Sequence, residues 1–203
     1  GPLLEEPGFT VAAVILDHGI PCLGFCLKED FHINIKKSAL AALDLAPGPW
    51  LKTFKKALYD DLSRQTPIFV PSTDGPREFS LGYLADTICV ITPGQKITWI
   101  TDVAFTPENI QEIIDFAWHS DHLFIEAYFR EKDRDIAAAK KHLTARQAGE
   151  IAGRAAARRV TTFHYSPRYR ECRADLEAEA RAAYQQHYPR SGSKPPYAAG
   201  DSP

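Results

Sequence analysis

Several short stretches of the chain alternate apolar and polar positions, or run apolar, and these predict β-strands. Residues 9–16 alternate and then run apolar until the turn residues Asp17-His18-Gly19. Residues 22–27 predict a second strand, which pairs with the first across His18. Further strands are predicted at 68–70, 86–92, 96–101, 122–128 and 160–163.

Helical periodicity and capping residues predict the segments between these strands. Helices are expected at 38–43, 50–63, 106–118, 144–158 and 173–186. The third of these opens with Thr106 as N-cap and Pro107 at the first helical position. Residues 188–203 are rich in proline, glycine and serine and predict a disordered tail. A repeated order of strand, polar tip and helix indicates an α/β layer structure.

Three of the predicted strands end in residues that can bind a metal ion, namely His18, Asp102 and His164. Open α/β folds gather their sites at one edge of the sheet, from side chains that follow the strand ends. Two imidazoles and one carboxylate suit Zn²⁺ or Mn²⁺. For each histidine taken singly, a surface or capping role is the alternative.

Composition limits the possible classes of protein. With 203 residues, 44% hydrophobic and 25% charged, the chain can form one globular domain. The formal charge is only −2, so nucleic-acid binding would have to use local basic clusters.

The four cysteines predict reduced thiols in a cytoplasmic protein, with metal or disulfide use as the alternative. No apolar run approaches the ~20 residues that span a membrane. The chain lacks methionine and opens Gly-Pro, which suggests a processed, tagged or truncated piece.

Five segments, in order along the chain, carry a family resemblance. They are Leu-Asp-His-Gly-Ile-Pro-Cys-Leu-Gly at 16–24, Leu-Ala-Pro-Gly-Pro at 45–49, Ile-Thr-Asp at 100–102, His-Leu-Thr at 142–144 and Thr-Phe-His-Tyr-Ser-Pro-Arg-Tyr at 162–169. They resemble ribonuclease Z, a branch of the metallo-β-lactamase superfamily, over about residues 9–175. The resemblance implies the C-terminal part of an αββα sandwich, as a partial domain at 1–187 with an arm at about 28–64.

The resemblance also implies roles for particular residues. His18, Asp102 and His164 would be metal ligands, and His142 would donate a proton to the leaving group. Glu126 is a candidate partner for His142, although the family usually writes His-Glu-Ala where this chain has Ile125. A structural ion pair is the alternative for Glu126.

Two further regions would bind the substrate in such an enzyme. The arm that grips tRNA would comprise Pro47, Gly48, Pro49, Lys52, Lys55 and Lys56. A solvated helix face is the alternative for the lysines. Arg168 and Tyr169 would either contact phosphate or brace the loop of His164.

The superfamily motif His-x-His-x-Asp-His does not occur in these 203 residues. The segment His119-Ser120-Asp121-His122 mimics its last positions, but it follows an amphipathic helix instead of a buried strand, so a loop without metal is expected. We therefore expect that the other half of the enzyme lies in the same or a second polypeptide and that this chain alone is inactive.

The expected function is that of a metal-dependent hydrolase similar to ribonuclease Z, with two Zn²⁺ in the complete enzyme, or Mn²⁺. Its substrate would be tRNA or another phosphodiester, and we expect a homodimer. Two alternatives stay open. One is a hydrolase of a small-molecule ester or phosphodiester, and the other is a catalytically silent RNA-binding homologue.

Overall fold

The computed structural model describes residues 1–189 and divides the chain into two compact units. The first contains residues 1–4, 11–28 and 96–189, and the second contains residues 5–10 and 29–95. The strands are β1 (Pro2–Glu6), β2 (Phe9–Asp17), β3 (Pro21–Glu29), β4 (Phe31–Ile35), β5 (Pro67–Val70), β6 (Arg77–Ser80), β7 (Cys89–Pro93), β8 (Lys96–Ile100), β9 (His122–Glu126) and β10 (Val160–Phe163). The helices are α1 (Lys37–Ala42), α2 (Trp50–Tyr59), α3 (Leu81–Ile88), α4 (Pro107–Phe116), α5 (Arg134–Lys140), α6 (Ala145–Arg154) and α7 (Arg173–His187).

A six-stranded sheet with the order β1-β2-β3-β8-β9-β10 forms the centre of the first unit. Strands β8, β9 and β10 run parallel, whereas β3 runs antiparallel to β8. The carboxyl ends of the three parallel strands therefore lie at one edge of the sheet. The turn between β2 and β3 lies at the same edge, since the start of β3 is paired toward the end of β8.

One face of this sheet is buried in the core of the first unit. Leu123 and Ile125 point into this core and are fully buried, as expected for parallel strands covered by helices. Helices α6 and α7 approach closely because α6 carries glycine: a Cβ at Gly149 would lie 2.0 Å from the Ala180 carbonyl oxygen. The small residues of α6 thus allow a tight helix pair.

The opposite face of the same sheet carries large apolar side chains that remain exposed. Phe25, Trp99 and Phe124 are neighbours across β3, β8 and β9, so their side chains share this face. Phe25 is 41% exposed and Trp99 is 43% exposed. The Trp99 and Phe124 rings stack with their centroids 4.6 Å apart. We call this surface, together with Phe163, the aromatic face.

The second unit has its own apolar core, which contains Ile33, Phe54, Leu84 and Ile88. Strand β4 pairs antiparallel with β7, and β5 pairs antiparallel with β6. The arm predicted at about 28–64 lies within this unit, which extends to Gln95.

The strand predicted at 86–92 is wrong in its first part, because α3 continues to Ile88 and β7 begins only at Cys89. The Ser80 side chain accepts a hydrogen bond from the Tyr83 amide and caps α3. The apolar residues Leu81, Leu84 and Ile88 then recur at helical spacing on its buried side.

The structure also bears on the predictions for the cysteines and for membrane-spanning segments. All four cysteines are free. Within residues 1–189, the helices are too short or too polar for any of them to cross a membrane. The predicted tail lies outside the described residues from position 190 onward.

Candidate active site

Four side chains that can bind a metal ion meet at the edge of the sheet where β8, β9 and β10 end. They are Asp102, Glu126, His142 and His164, and each offers a ligand atom within 4.8 Å of those of the others. Asp102 follows β8, Glu126 ends β9 and His164 follows β10. Parallel register therefore brings these three together, and the loop before α6 adds His142.

Glu126 is the buried centre of this cluster, with no exposed surface. Its Oε1 accepts a hydrogen bond from the Val103 amide at 2.8 Å. Its Oε2 lies 2.8 Å from His142 Nδ1. A carboxylate held by a fixed amide donor in this way directs the imidazole proton to Nδ1, because an ionised carboxylate can only accept.

His142 is positioned by the backbone around it as well as by Glu126. Its amide donates to the Ala137 carbonyl at 3.0 Å. Two residues later, Thr144 and Gln147 form a capping box that fixes the start of α6. In the described part of the chain, His142 Nε2 has no hydrogen-bond partner. That nitrogen is thus the atom through which the imidazole can act on another molecule.

His164 pairs with two carboxylates of the cluster. Its Nδ1 lies 2.8 Å from Asp102 Oδ1 and 3.7 Å from Glu126 Oε2. The Glu126 carboxylate raises the pKa of His164 above its ordinary value, with a further contribution from the charge of Asp102, although burial acts in the opposite direction. His164 also has a φ of 56°, a left-handed conformation that costs about 1–3 kcal/mol in residues other than glycine.

His18 lies beside the four-residue cluster, and its ring centroid is 4.6 Å from that of His142. Its Nδ1 donates to the Lys141 carbonyl at 2.7 Å. Lys141 itself has a φ of 59°, as the residue that ends α5. A histidine with Nδ1 bound to a carbonyl presents Nε2 as a lone-pair donor, which is the usual arrangement in metal-binding histidines.

Two contributors to the site were not predicted from the sequence. The Tyr128 ring stacks on His142 at 4.2 Å with an interplanar angle of 9°, and it meets His164 edge-on at 4.9 Å. Asn109 is buried in the first turn of α4, and its side chain bonds the Asp17 amide and carbonyl and the Ala104 carbonyl. Asn109 therefore holds the strand end that precedes His18. Its place beside a predicted N-cap was the only signal in the sequence.

Cys22 also lies near the carboxylates of the cluster. Burial, followed by the charges of Asp102 and Glu126, raises the pKa of its thiol. The thiol is therefore protonated at neutral pH.

Arg168 and Tyr169, which were predicted to contact phosphate or brace the His164 loop, contact other side chains of the first unit. Tyr169 is buried, and its hydroxyl donates to Asp133. The Arg168 guanidinium lies over the Phe129 ring at 5.4 Å. These contacts attach the segment after β10 to the body of the first unit.

The predicted arm residues belong to the second unit. Pro49 is the N-cap of α2, directly after Pro47 and Gly48. Lys55 Nζ donates to the Ile33 carbonyl at 2.8 Å, and Lys56 pairs with Asp60 at 2.6 Å. No ion pair involves Lys52 among residues 1–189. Lys55 thus stabilises its own unit through its charged end.

The His119-Ser120-Asp121-His122 segment has structural contacts. Asp121 accepts from the Lys96 amide at 2.9 Å and from Arg158 at 3.1 Å. His122 Nε2 lies 2.8 Å from the Thr161 hydroxyl across the sheet. The Asp121 carboxylate therefore makes its hydrogen bonds within the protein.

Two imidazoles and two carboxylates within 4.8 Å form a donor set that suits a divalent cation such as Zn²⁺. With His18 beside them, the edge contains every metal-binding and proton-donating residue that the sequence predicted. The arrangement can therefore combine a metal site with an imidazole whose proton is directed by a buried carboxylate.

Comparison with known proteins gives relatives for most of the chain, although no family model matches it. It is 32% identical to ribonuclease Z of Deinococcus radiodurans over 183 residues, which are 90% of this chain and 51% of that protein. It is also 32% identical to ribonuclease Z of Thermobifida fusca over 180 residues, 88% of this chain and 50% of that protein.

A solved structure gives the fold. The metallo-β-lactamase fold protein YhfI from Bacillus subtilis matches with a TM-score of 0.50 and 15% identity, over 91% of this chain and 46% of that one. The predicted α/β fold class, part of a metallo-β-lactamase sandwich, is confirmed. The chain therefore has a metallo-β-lactamase-type fold and is similar in sequence to ribonuclease Z, and it spans about half the length of the curated relatives that it matches.

Proposed function

We propose that this chain is part of a metal-dependent phosphodiesterase of the ribonuclease Z type, which cleaves precursor tRNA at its 3′ side. The observation that carries the proposal is the pair of contacts at one sheet edge, Glu126 with His142 and Asp102 with His164. The relatives named ribonuclease Z support the substrate class.

In this proposal, Asp102, His164 and His18 hold the metal, which we infer to be Zn²⁺, with Mn²⁺ as the alternative. Glu126 is less suited to be a ligand, because both of its oxygens already accept hydrogen bonds inside the protein. A bound divalent ion would lower the pKa of water and polarise the phosphoryl oxygen. Because these residues are too few for two tetrahedral ions, the chain alone is expected to bind one.

His142 acts in this proposal as the general acid. In its imidazolium form His142 carries a proton on each nitrogen: the Nδ1 proton bonds Glu126, and the Nε2 proton is transferred to the departing oxygen, which leaves the neutral Nδ1–H imidazole. A positioned acid of this kind contributes about 10²–10⁴-fold to a rate. Tyr128 fixes the plane of the imidazole by stacking on it.

The half of the fold that this chain does not span would cover the aromatic face. An αββα sandwich packs two sheets face to face, and the row formed by exposed Phe25 and Trp99 and half-buried Phe124 suits such a contact. We infer that this second sheet belongs to the same or a second polypeptide. This chain together with that half is called the completed protein.

A second candidate is a hydrolase of small phosphodiesters or esters. It is favoured by the contacts of Lys55 and Lys56, which direct two of the three arm lysines to partners within the protein. For either candidate we place the protein in the cytoplasm, consistent with its free cysteines. We also expect a homodimer, and light scattering can measure the oligomeric state.

The proposal is tested by replacing the two histidines separately in the completed protein. His164→Ala should lower metal content and recover part of its activity in excess metal. His142→Ala should keep its metal and lose about 10²-fold or more in turnover on RNA, but lose little on an aryl phosphodiester, whose leaving group needs no proton. Loss of metal in His142→Ala, or equal slowing on both substrates, would show that the roles are wrongly assigned.

Zinc titration of this chain alone provides a separate check. Calorimetry should find at most one zinc site per chain, and the zinc affinity of that site should be lower in His164→Ala. Two tight sites per chain would contradict the proposed ligand set.

A further inference from the structure

A cavity of about 480 Å³ opens beside His142 in the first unit. Its wall includes Phe105, Ala138, Lys141 and His142. Its volume falls within the range of about 300–1,000 Å³ that is typical of small-molecule sites. The imidazole assigned to proton donation is therefore also part of the wall of a space large enough for one nucleotide.

The cavity has one apolar aromatic surface and two cations. Phe105 provides the ring, and Lys141 and Arg134 provide the positive charges. Arg134 shares its charge with Glu131 at 2.9 Å. Lys141 forms no ion pair in the described part of the chain, so its ammonium group is available to a bound anion.

The carboxylate that lines the same cavity already accepts a hydrogen bond. The Asp17 carboxylate accepts a hydrogen bond from the Gly19 amide within the turn that carries His18. Because Arg134 is paired with Glu131, Lys141 is the cation of this wall that is available to a bound anion. A ligand with an anionic end and a flat apolar body complements this wall.

We propose that this cavity binds the nucleotide that carries the leaving oxygen, with its base against Phe105 and its phosphate against Lys141 and Arg134. The inference rests on the proposed function, because it is the proton donor His142 that identifies this side as the leaving-group side. Base stacking on an aromatic ring accepts every base, so the cavity selects a nucleotide and not a sequence. Recognition of this nucleotide would place its departing oxygen toward His142 Nε2.

The experiment uses the 203-residue chain without metal and follows binding by the imidazole resonances of His142 in NMR titrations. The probes are adenosine 5′-monophosphate, adenosine 3′-monophosphate, adenosine and inorganic phosphate. At least one nucleotide should shift the His142 signals with an affinity about ten-fold or more above that of adenosine or phosphate. The better of the two nucleotides reveals which way the leaving strand runs through the cavity.

Substitutions separate this site from general electrostatic attraction. Lys141→Gln should weaken nucleotide binding by about ten-fold and reduce its salt dependence, whereas Lys140→Gln, one residue away and outside the cavity wall, should not. Phe105→Leu should weaken the nucleotides and leave phosphate unchanged. Because Lys141 holds His18 through its carbonyl, the side-chain substitution keeps that contact.

The proposal is overturned if phosphate binds as well as the nucleotides, if Lys140→Gln and Lys141→Gln lose affinity equally, or if no probe reaches His142. These outcomes are independent of hydrolysis. A completed protein that cleaves RNA but shows no nucleotide binding here would reject this subsite alone. A chain that binds the nucleotides while the completed protein fails to hydrolyse any phosphodiester would reject the proposed function instead.

Discussion

The substitution Glu126→Gln should move the imidazole proton of His142 from Nδ1 to Nε2. The glutamine amide has the same size, and its oxygen can still accept from the buried Val103 amide. Its NH₂ group then faces His142 Nδ1, where it can only donate. The reverse orientation would leave the Val103 amide unsatisfied at a cost of about 1–3 kcal/mol, which selects the first.

The expected cost in stability follows from the two hydrogen bonds of Glu126. A hydrogen bond to a charged group contributes about 1.5–3 kcal/mol and a neutral one about 1 kcal/mol, so Glu126→Gln, which changes two such bonds, should cost about 1–4 kcal/mol. Glu126→Ala removes both bonds and leaves the Val103 amide buried without an acceptor. Its cost should reach about 3–5 kcal/mol.

Long-range ¹H–¹⁵N spectra of the histidines report the position of the proton, and hydrogen exchange of the Val103 amide reports its hydrogen bond. The Val103 amide should exchange at nearly the wild-type rate in Glu126→Gln and much faster in Glu126→Ala. Glu150→Gln is the control, since Glu150 forms only an exposed pair with Arg154. If His142 keeps its Nδ1 proton in Glu126→Gln, Glu126 does not direct the tautomer.

Three further predictions test other parts of the molecule. Asn109→Ala removes three hydrogen bonds and should lower the free energy of unfolding by about 2–4 kcal/mol in urea titrations; a loss below about 0.5 kcal/mol would contradict its positioning role. Replacing Lys52, Lys55 and Lys56 with alanine in the completed protein should weaken RNA binding and flatten its salt dependence, while hydrolysis of an aryl phosphodiester stays the same; equal losses on both would make the lysines structural. Burial lowers the pKa of His122, so its contribution to stability is present above about pH 6.5 and is lost as the pH falls through the lowered value; His122→Asn should reduce the stability difference between pH 7.5 and pH 5, and an unchanged difference would refute this.

The strand ends were predictable because the hydrophobic pattern locates buried strands and the next polar residue follows directly. Asp102 and His164 could be placed in this way, since parallel strands end at one edge. The pairing of Glu126 with His142 could not be derived from pattern, because α5 lies between them and was not predicted. Only the family resemblance connected these two residues.

Other parts of the fold could not be derived because tertiary contacts determine them. The left-handed φ of His164 could not be predicted, because only a few per cent of residues other than glycine have a positive φ. The strand predicted at 86–92 was placed too early in the sequence because the β-branched residues that follow Cys89 favour a strand. The Ser80 cap and the packing of α3 in the core of the second unit instead determine a helix up to Ile88. Strands β1, β4 and β6 were also not predicted.

The order of assembly follows from where each hydrogen bond of the site ends. The bonds of Glu126 go to Val103 and His142, and that of His18 goes to Lys141, all within the first unit. None of these bonds needs a metal ion, so the proton-donating side of the site can be formed before metal binds. In the proposed ligand set the metal side depends on Asp102 and His164, whose Oδ1 and Nδ1 atoms lie 2.8 Å apart. Because the contacts of His142 lie within the first unit, its tautomer should be the same with and without the proposed second half of the fold.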